Sequence, residues 1–171
     1  VLSGLAITFF IPILVPIILI LRFTAEGEIF YQQSRIGKNK EPFQLLKFAT
    51  MVKNSESMGA GTVTLKNDSR VLPFGKFLRK TKLNEIPQLF NIFKGDMSII
   101  GPRPLHNDQF SFYSEEHQEI IASSMPGLSG VGSIIFRDEE SILQNSVNPE
   151  DTYKQKISPI KGALEKWYVE N

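Results

Sequence analysis

The 171-residue sequence contains no cysteine, which excludes disulfides and thiolate metal sites and fits a reducing compartment. Histidine is nearly missing as well. His106 and His117, both in a polar stretch, are expected at the surface, and no role follows for them. Excess charge of either sign is also lacking, since 19 Lys and Arg against 18 Asp and Glu leave a formal charge of +1. That balance says little about partners, and no nucleic-acid partner is expected. There is no internal repeat, no low-complexity tract and no second soluble domain. A regular alternation of strands and helices is absent too, which argues against a doubly wound parallel sheet. The mix of short strands and helices behind an apolar leader points instead to an α+β fold.

Charge is missing altogether from Val1 to Leu21, a run of mostly Leu, Ile, Val and Phe that stops at Arg22. As a helix it would be roughly 30 Å long, just enough to cross a bilayer. No basic region precedes it and no small-residue cleavage site follows, so a signal peptide is discounted. Pro12 and Pro16 lie in its middle, four apart, and each removes a backbone hydrogen bond, so a straight rod is not expected. Two membrane forms stay open on these residues: a kinked span, or a helix that enters and turns back to the same face.

The most specific residues lie between Arg79 and Pro104, RKTKLNEIPQLFNIFKGDMSIIGPRP. Asn84 is a strong N-cap type, Glu85 follows in the first turn, and Ile86, Leu89, Phe90 and Phe93 recur at helical spacing before Gly95. Pro87 falls in the first turn, where a missing N–H costs little. The start of this helix would offer N–H groups to a phosphate or carboxylate, with Lys76, Arg79, Lys80 and Lys82 nearby. Met97–Ile100 reads as a short buried strand. Prolines 102 and 104 fix the backbone around Arg103, whose planar fork suits an anion such as a diphosphate. The plainer alternative is a capped core helix followed by a tight turn with a surface arginine.

Further elements follow from pattern. Ile29–Gly37 and Phe43–Met51 read as strands around a turn at 37–40. Val52–Gly61 reads as a mobile loop, Thr62–Leu65 as a strand, and Lys66–Ser69 as a turn. Phe74–Lys80 mixes apolar and basic residues at helical spacing. It suits either a membrane-surface helix, with Phe74, Phe77 and Leu78 in the headgroup boundary, or a core helix with a solvated face. Asn107–Ser124 is scaffold, helical in its second half. Met125–Gly130 is a turn-rich hinge, Ser133–Arg137 a strand, Asp138–Glu140 the start of a short helix, and Asn148–Glu150 the start of another. Arg137 is either a substrate contact or a strand-end charge.

Several of these stretches together resemble the bacterial sugar transferases, the monotopic phosphoglycosyl transferases. The family signature of Asp-Glu, Pro-Gln-Leu, Lys-Gly-Asp-Met-Ser and Gly-Pro-Arg-Pro is matched by Glu85, Pro87–Leu89, Lys94–Ser98 and Gly101–Pro104. Gln33, Arg35 and Gly37 resemble its Gln-x-Arg-x-Gly element, Lys47–Met51 its Lys-Phe-x-Thr-Met, and Asp68, Arg70 and Val71 its Asp-x-Arg-Val. Three positions depart from the pattern. Asn84 stands where the family has its nucleophilic aspartate, Ala49 where a base is usual, and Met125 where an arginine is usual.

The resemblance implies a re-entrant membrane helix over 1–22, bent at Pro12 with Pro16 nearby, and a membrane-associated catalytic domain of short strands and amphipathic helices over 23–171. It implies transfer of a sugar-1-phosphate from a nucleoside diphosphate sugar, a UDP-sugar, to undecaprenyl or another polyprenyl phosphate. The place would be the cytoplasmic face of the bacterial inner membrane, in contact with its lipid, with Mg²⁺ as cofactor. Glu85 would bind the metal, Arg103 and Arg79 the phosphates, and Lys47, Arg35 and Arg137 would be further contacts. Self-association or other glycan-pathway enzymes are the further partners it suggests. An amide is a poor nucleophile, so Asn84 also admits a silent homologue that binds nucleotide sugar or a partner enzyme. Val1 in place of methionine and the end at Asn171 suggest part of a longer chain.

Overall fold

The computed structural model describes residues 2–24, 26–58 and 68–171. The expected strand Thr62–Leu65, the turn at 66 and 67 and residues 59–61 of the expected 52–61 loop lie outside them. Helices and short strands are mixed behind an N-terminal apolar helix. The chain divides into two compact units, the first built from residues 1–33 and 45–93, the second from 34–44 and 94–171.

In the first unit α1 runs from Leu2 to Thr24 and continues through both Pro12 and Pro16. Ser3, Leu14, Ile17 and Leu21 are buried along one stripe, whereas Leu5, Phe9, Ile11, Val15, Leu19 and Phe23 are exposed. The spacing of three and four puts the buried set on one face of a helix. Leu14, Ile17 and Leu21 form a core with Phe48 and Leu78, against which Phe10, Ile29, Phe74 and Ile86 pack. Strands β1 (Phe30–Ile36) and β2 (Pro42–Phe48) pair in a two-stranded sheet, and the unit boundary cuts through both. β2 stops at Phe48, short of the expected Met51. Met51 instead bridges Val71, with Leu72 N–H bonded to Thr50 O at 3.0 Å and Val52 N–H to Arg70 O at 3.0 Å.

Helix α2 (Pro73–Lys80) starts on a proline and follows the expected bounds closely. Leu78 is fully buried in the core rather than lying outward with Phe77, which is 52% exposed. α2 comes this close to the 50–52 segment because residue 75 is glycine: a Cβ there would lie 2.2 Å from Thr50 O. Helix α3 spans Gln88–Lys94 and ends at Gly95, which has φ +92°. Asn91 Oδ1 accepts from Leu46 N–H at 3.0 Å, tying α3 to β2.

The second unit pairs β3 (Ser98–Ile100) with β4 (Gly127–Ser129) in parallel, Ser98 opposite Gly127 and Ile100 opposite Ser129. The hinge expected at Met125–Gly130 therefore contains a strand. β3 is less buried than its apolar sequence suggests, for Met97 is covered while Ile99 and Ile100 are 49% and 60% exposed. Between the strands come α4 (Asn107–Phe110) and α5 (Glu115–Ser123), the latter capped by Ser114. Leu105, Phe110, Tyr113, Ile121 and Ala122 form this unit's apolar core, with Ile36 against it.

The expected strand at Ser133–Arg137 is a helix, α6 (Val131–Ile135), followed by α7 (Glu139–Gln144) and α8 (Pro149–Thr152). Ile134 and Ile135 prefer extended backbone, but Gly132 lets α6 rest directly on α9 (Ser158–Glu170), and this packing overrides local preference. A π-helical turn, Tyr153–Ile157, joins α8 to α9. α8 begins as expected, with the Asn148 side chain accepting from Asp151 N–H at 3.3 Å.

Candidate active site

In the first unit the helix expected to start at Asn84 does not. Residues Leu83–Glu85 form a 3₁₀ turn entered through Lys82 at φ +60°, and α3 begins only after Pro87. Consecutive three-residue bonds lead into it: Glu85 N–H to Lys82 O, Ile86 N–H to Leu83 O, Leu89 N–H to Ile86 O and Phe90 N–H to Pro87 O. These use the donors that a side-chain cap or a bound phosphate would otherwise take. Asn84 is consequently no cap. It is 7% exposed, and its Oδ1 is buried with no hydrogen-bond partner among the described residues. An unpaired carbonyl in that position costs free energy unless something else supplies a positive partner.

Glu85 beside it is half-buried, as are Lys47 on β2 and Arg79 at the end of α2. Among the described residues no group of three or more His, Asp or Glu side chains converges as a ready-made metal cage. Magnesium takes one or two protein oxygens and completes its shell with water and substrate phosphates. The Glu85 carboxylate and the orphaned Asn84 Oδ1 fit that minimal donor set.

The second unit holds Arg35, Arg103 and Arg137. Pro102 and Pro104 are both buried while Arg103 between them is exposed, so the turn is anchored on either side of a side chain that reaches solvent. Arg103 also lines a shallow cleft with Ile36, Pro102, Leu105, Ile121 and Pro126. The turn is locked from below by close backbone approach. Gly101 N–H bonds Ser129 O at 2.9 Å and Gly127 N–H bonds Pro102 O at 2.8 Å. A Cβ on Gly127 would stand 2.1 Å from Gly101 N, so nothing larger than glycine fits. Arg137 is exposed in the connection after α6, not at the end of a strand.

Arg35 and Arg103 come from distant parts of the sequence, yet both act on one buried phenol. Tyr153 has its pKa pushed up to about 12, first by burial and then by Glu139, while Arg103 and Arg35 pull the other way. Burial, then neighbouring Tyr153, also raises Tyr113. Lys161 is 4% exposed, pairs with Glu139, and its Nζ lies 5.7 Å from the centroid of the Tyr153 ring and 5.8 Å from that of Phe136. Glu165, also 4% exposed, has a raised pKa. Burial is the main cause, opposed by the backbone N–H groups of Gly132 and Arg103 and by the charges of Lys161 and Arg103.

The sequence reading missed Tyr153, Lys161 and Glu165. They sit in a helical C-terminal stretch where the buried positions Tyr153, Ile157, Lys161 and Glu165 recur every four residues, but two of the four are charged, so no apolar stripe marks that face in the sequence. Of the expected site residues, Asn84, Glu85, Arg79 and Lys47 fall in the first unit and Arg35, Arg103 and Arg137 in the second.

A family profile described as bacterial sugar transferase matches residues 1–163. The exopolysaccharide production protein ExoY of Rhizobium meliloti (strain 1021) is 34% identical over 153 residues, covering 81% of this chain and 67% of that protein. The UDP-N-acetylgalactosamine-undecaprenyl-phosphate N-acetylgalactosaminephosphotransferase of Aeromonas hydrophila is 37% identical over 138 residues, 77% of this chain and 31% of that protein. The UDP-glucose:undecaprenyl-phosphate glucose-1-phosphate transferase of Klebsiella pneumoniae is 34% identical over 148 residues, 83% of this chain and 31% of that protein. The chain thus spans about two thirds of the first relative's length and about a third of the other two.

Proposed function

The chain belongs to the bacterial sugar transferase family, and from that premise we propose that it handles transfer of a sugar-1-phosphate from a UDP-sugar to undecaprenyl or another polyprenyl phosphate. The product would be a polyprenyl diphosphate sugar that starts glycan assembly, with a nucleoside monophosphate released. The observation that carries this reading is that Ile36 N–H bonds Leu105 O at 3.0 Å, which lays the strand end that carries Arg35 beside the turn that carries Arg103 and brings two arginines from separate motifs to one region. Two guanidinium groups in one region suit a diphosphate, whose charge and paired oxygens match their donor geometry.

With a carboxylate at position 84, one oxygen would bond to the sugar-bearing phosphorus as the bond to the bridging oxygen breaks, the electron pair leaving with the nucleoside monophosphate. An oxygen of the lipid phosphate would then displace the carboxylate and take the phosphosugar. Glu85 and the oxygen at position 84 would hold a magnesium ion, whose charge would offset that of phosphate oxygens. Arg79 and Lys47 are the further cations for the phosphates in the first unit. α1 would sit in the inner membrane from the cytoplasmic face, with Pro12 and Pro16, both exposed on the helix, as the place where it bends back.

Asn84 favours a second reading, a homologue that binds nucleotide sugar without turning it over, because an amide oxygen is a far weaker nucleophile than a carboxylate. Release of uridine monophosphate from a panel of UDP-sugars, with polyprenyl phosphate and Mg²⁺ present, separates the two. The expected result is background for the chain as it stands and a rise of at least about a thousandfold for Asn84→Asp, the order by which losing a nucleophile slows an enzyme. Failure of both to turn over would support the silent homologue. Equal turnover by both would remove position 84 from the chemistry.

A further inference from the structure

Lys161 is a buried cation that the reaction outlined above does not use. It lies on α9, 4% exposed, and its Nζ donates to Glu139 Oε2. The same ammonium lies over two rings, 5.8 Å from the centroid of Phe136 and 5.7 Å from that of Tyr153. Its stem passes close to α6, for a Cβ on Gly132 would stand 3.5 Å from Lys161 Cγ. A leucine or methionine would fill this space without taking a charge out of water. What the lysine adds is a hold on two residues that lie on either side of Arg137.

Those two residues, Phe136 and Glu139, bracket the break between α6 and α7. Phe136 and Asp138 leave helical backbone there, with ψ of 38° and 25°, so no continuous helix fixes the connection. Arg137 is exposed in the middle of it. α6 itself starts on the turn that carries Arg103, since a Cβ on Gly130 would lie 2.2 Å from Gly101 O. Arg137 follows about two helical turns later, roughly 10 Å along the chain direction. We propose that Lys161 is a positioning residue: by gripping Phe136 and Glu139 it fixes the connection between α6 and α7, so that the exposed Arg137 guanidinium is presented in one orientation to the diphosphate of the donor. This rests on the proposed function and on reading Arg137 as a phosphate contact. Holding the backbone beneath a long side chain reduces the freedom lost when that side chain binds.

The test measures binding rather than turnover, so that Asn84 does not enter it. Uridine diphosphate with Mg²⁺ is titrated by calorimetry into the full chain in detergent, into its Lys161→Met, Arg137→Ala and Arg103→Ala variants, and into Lys161→Met combined with each arginine variant. Arg137→Ala should weaken binding about tenfold, the worth of one hydrogen bond to a charged group. Lys161→Met, which matches the stem and removes the charge, should weaken it about fivefold, the order of the freedom of one long side chain. In the Arg137→Ala background Lys161→Met should cause no further loss, because residues acting through one another are not additive, whereas in the Arg103→Ala background it should cost its full factor.

A general loss of structure would weaken both backgrounds alike, and that result would overturn the positioning role. So would a Lys161→Met variant that binds as the parent does. Arg137→Ala binding as tightly as the parent while Arg103→Ala is weakened would overturn the inference and leave the proposed function standing. Both arginine variants binding as the parent does would overturn both. Should Lys161→Met not fold, Glu139→Ala decides, since it releases the same grip from its partly exposed side: unchanged affinity sinks the proposal, and a loss confined to chains that keep Arg137 supports it.

Discussion

At the scale of single residues, the buried polar side chains divide into those with full sets of partners and those without. Arg70 has them: its guanidinium grips Asp68 through Nε at 2.9 Å and Nη2 at 2.6 Å, and its Nη1 bonds Ser55 O at 2.7 Å and Met58 O at 2.8 Å. One side chain thereby holds the described end of the 52–58 segment. Arg70→Ala would leave the Asp68 carboxylate buried without that charge and should destabilise the chain by roughly 3 kcal/mol, read from a chemical denaturation midpoint in detergent.

Glu165 is the opposite case. Its folded pKa lies above the ordinary 4.5, because burial disfavours the anion more than its neighbours favour it. Between pH 4.5 and that higher value the folded chain binds more protons at this site than the unfolded chain does. Stability contributed by the protonated form is therefore lost as pH rises through the window. Thermal melts from pH 4.5 upward should show this fall in the parent relative to Glu165→Gln, which has no proton to lose.

Among secondary-structure elements, close approach of backbone decides more than side-chain volume. α2 leans on the carbonyl of Thr50, and the only space for residue 75 is that of a hydrogen atom. Gly75→Ala should force the helix outward and cost about 1–3 kcal/mol, with the Leu78 contacts to the core loosened; a lowered melting temperature checks it. β3 and β4 obey the same rule at Gly101 and Gly127. Here the chain order was legible in advance but the pairing was not. Ser98–Ile100 reads as a strand by its own residues, while Gly127–Ser129 reads as a turn, since its glycine and serine carry turn preference and only the parallel partner makes it a strand. Ser133–Arg137 misleads in the other direction for the same reason. Its isoleucines favour a strand, and α9 imposes a helix.

At the scale of the whole molecule, α1 serves two neighbours at once. Leu14, Ile17 and Leu21 are core of the first unit, each worth roughly 1.5–3 kcal/mol of burial, while the rest of the helix exposes Leu, Ile, Val and Phe. A leader that could be removed freely would not share a core with Phe48 and Leu78. The absence of cysteine makes its membrane path easy to follow. Single cysteines at Leu5 and Glu26, both exposed, one near the start of α1 and one just beyond its end, can be labelled with a membrane-impermeant maleimide in sealed inner-membrane vesicles. Equal labelling of both ends from the cytoplasmic side is expected for the bent helix, and labelling from opposite sides would mean a span.

What the chain determined by itself was local and compositional: the apolar leader with its two prolines, helix α2, the stop at Gly95, and the proline-flanked Arg103. Each depends on the covalent character of a residue, a fixed φ, a missing Cβ or an apolar surface, and so is visible without coordinates. Only the tertiary structure decided that Asn84 caps nothing and lies buried, that the segments carrying Arg35 and Arg103 meet at the Ile36–Leu105 backbone bond, and that Lys161 and Glu165 lie in the interior. Those facts are contacts between segments far apart in the chain, and the free energy that selects them comes from packing and desolvation, which no stretch of sequence carries alone.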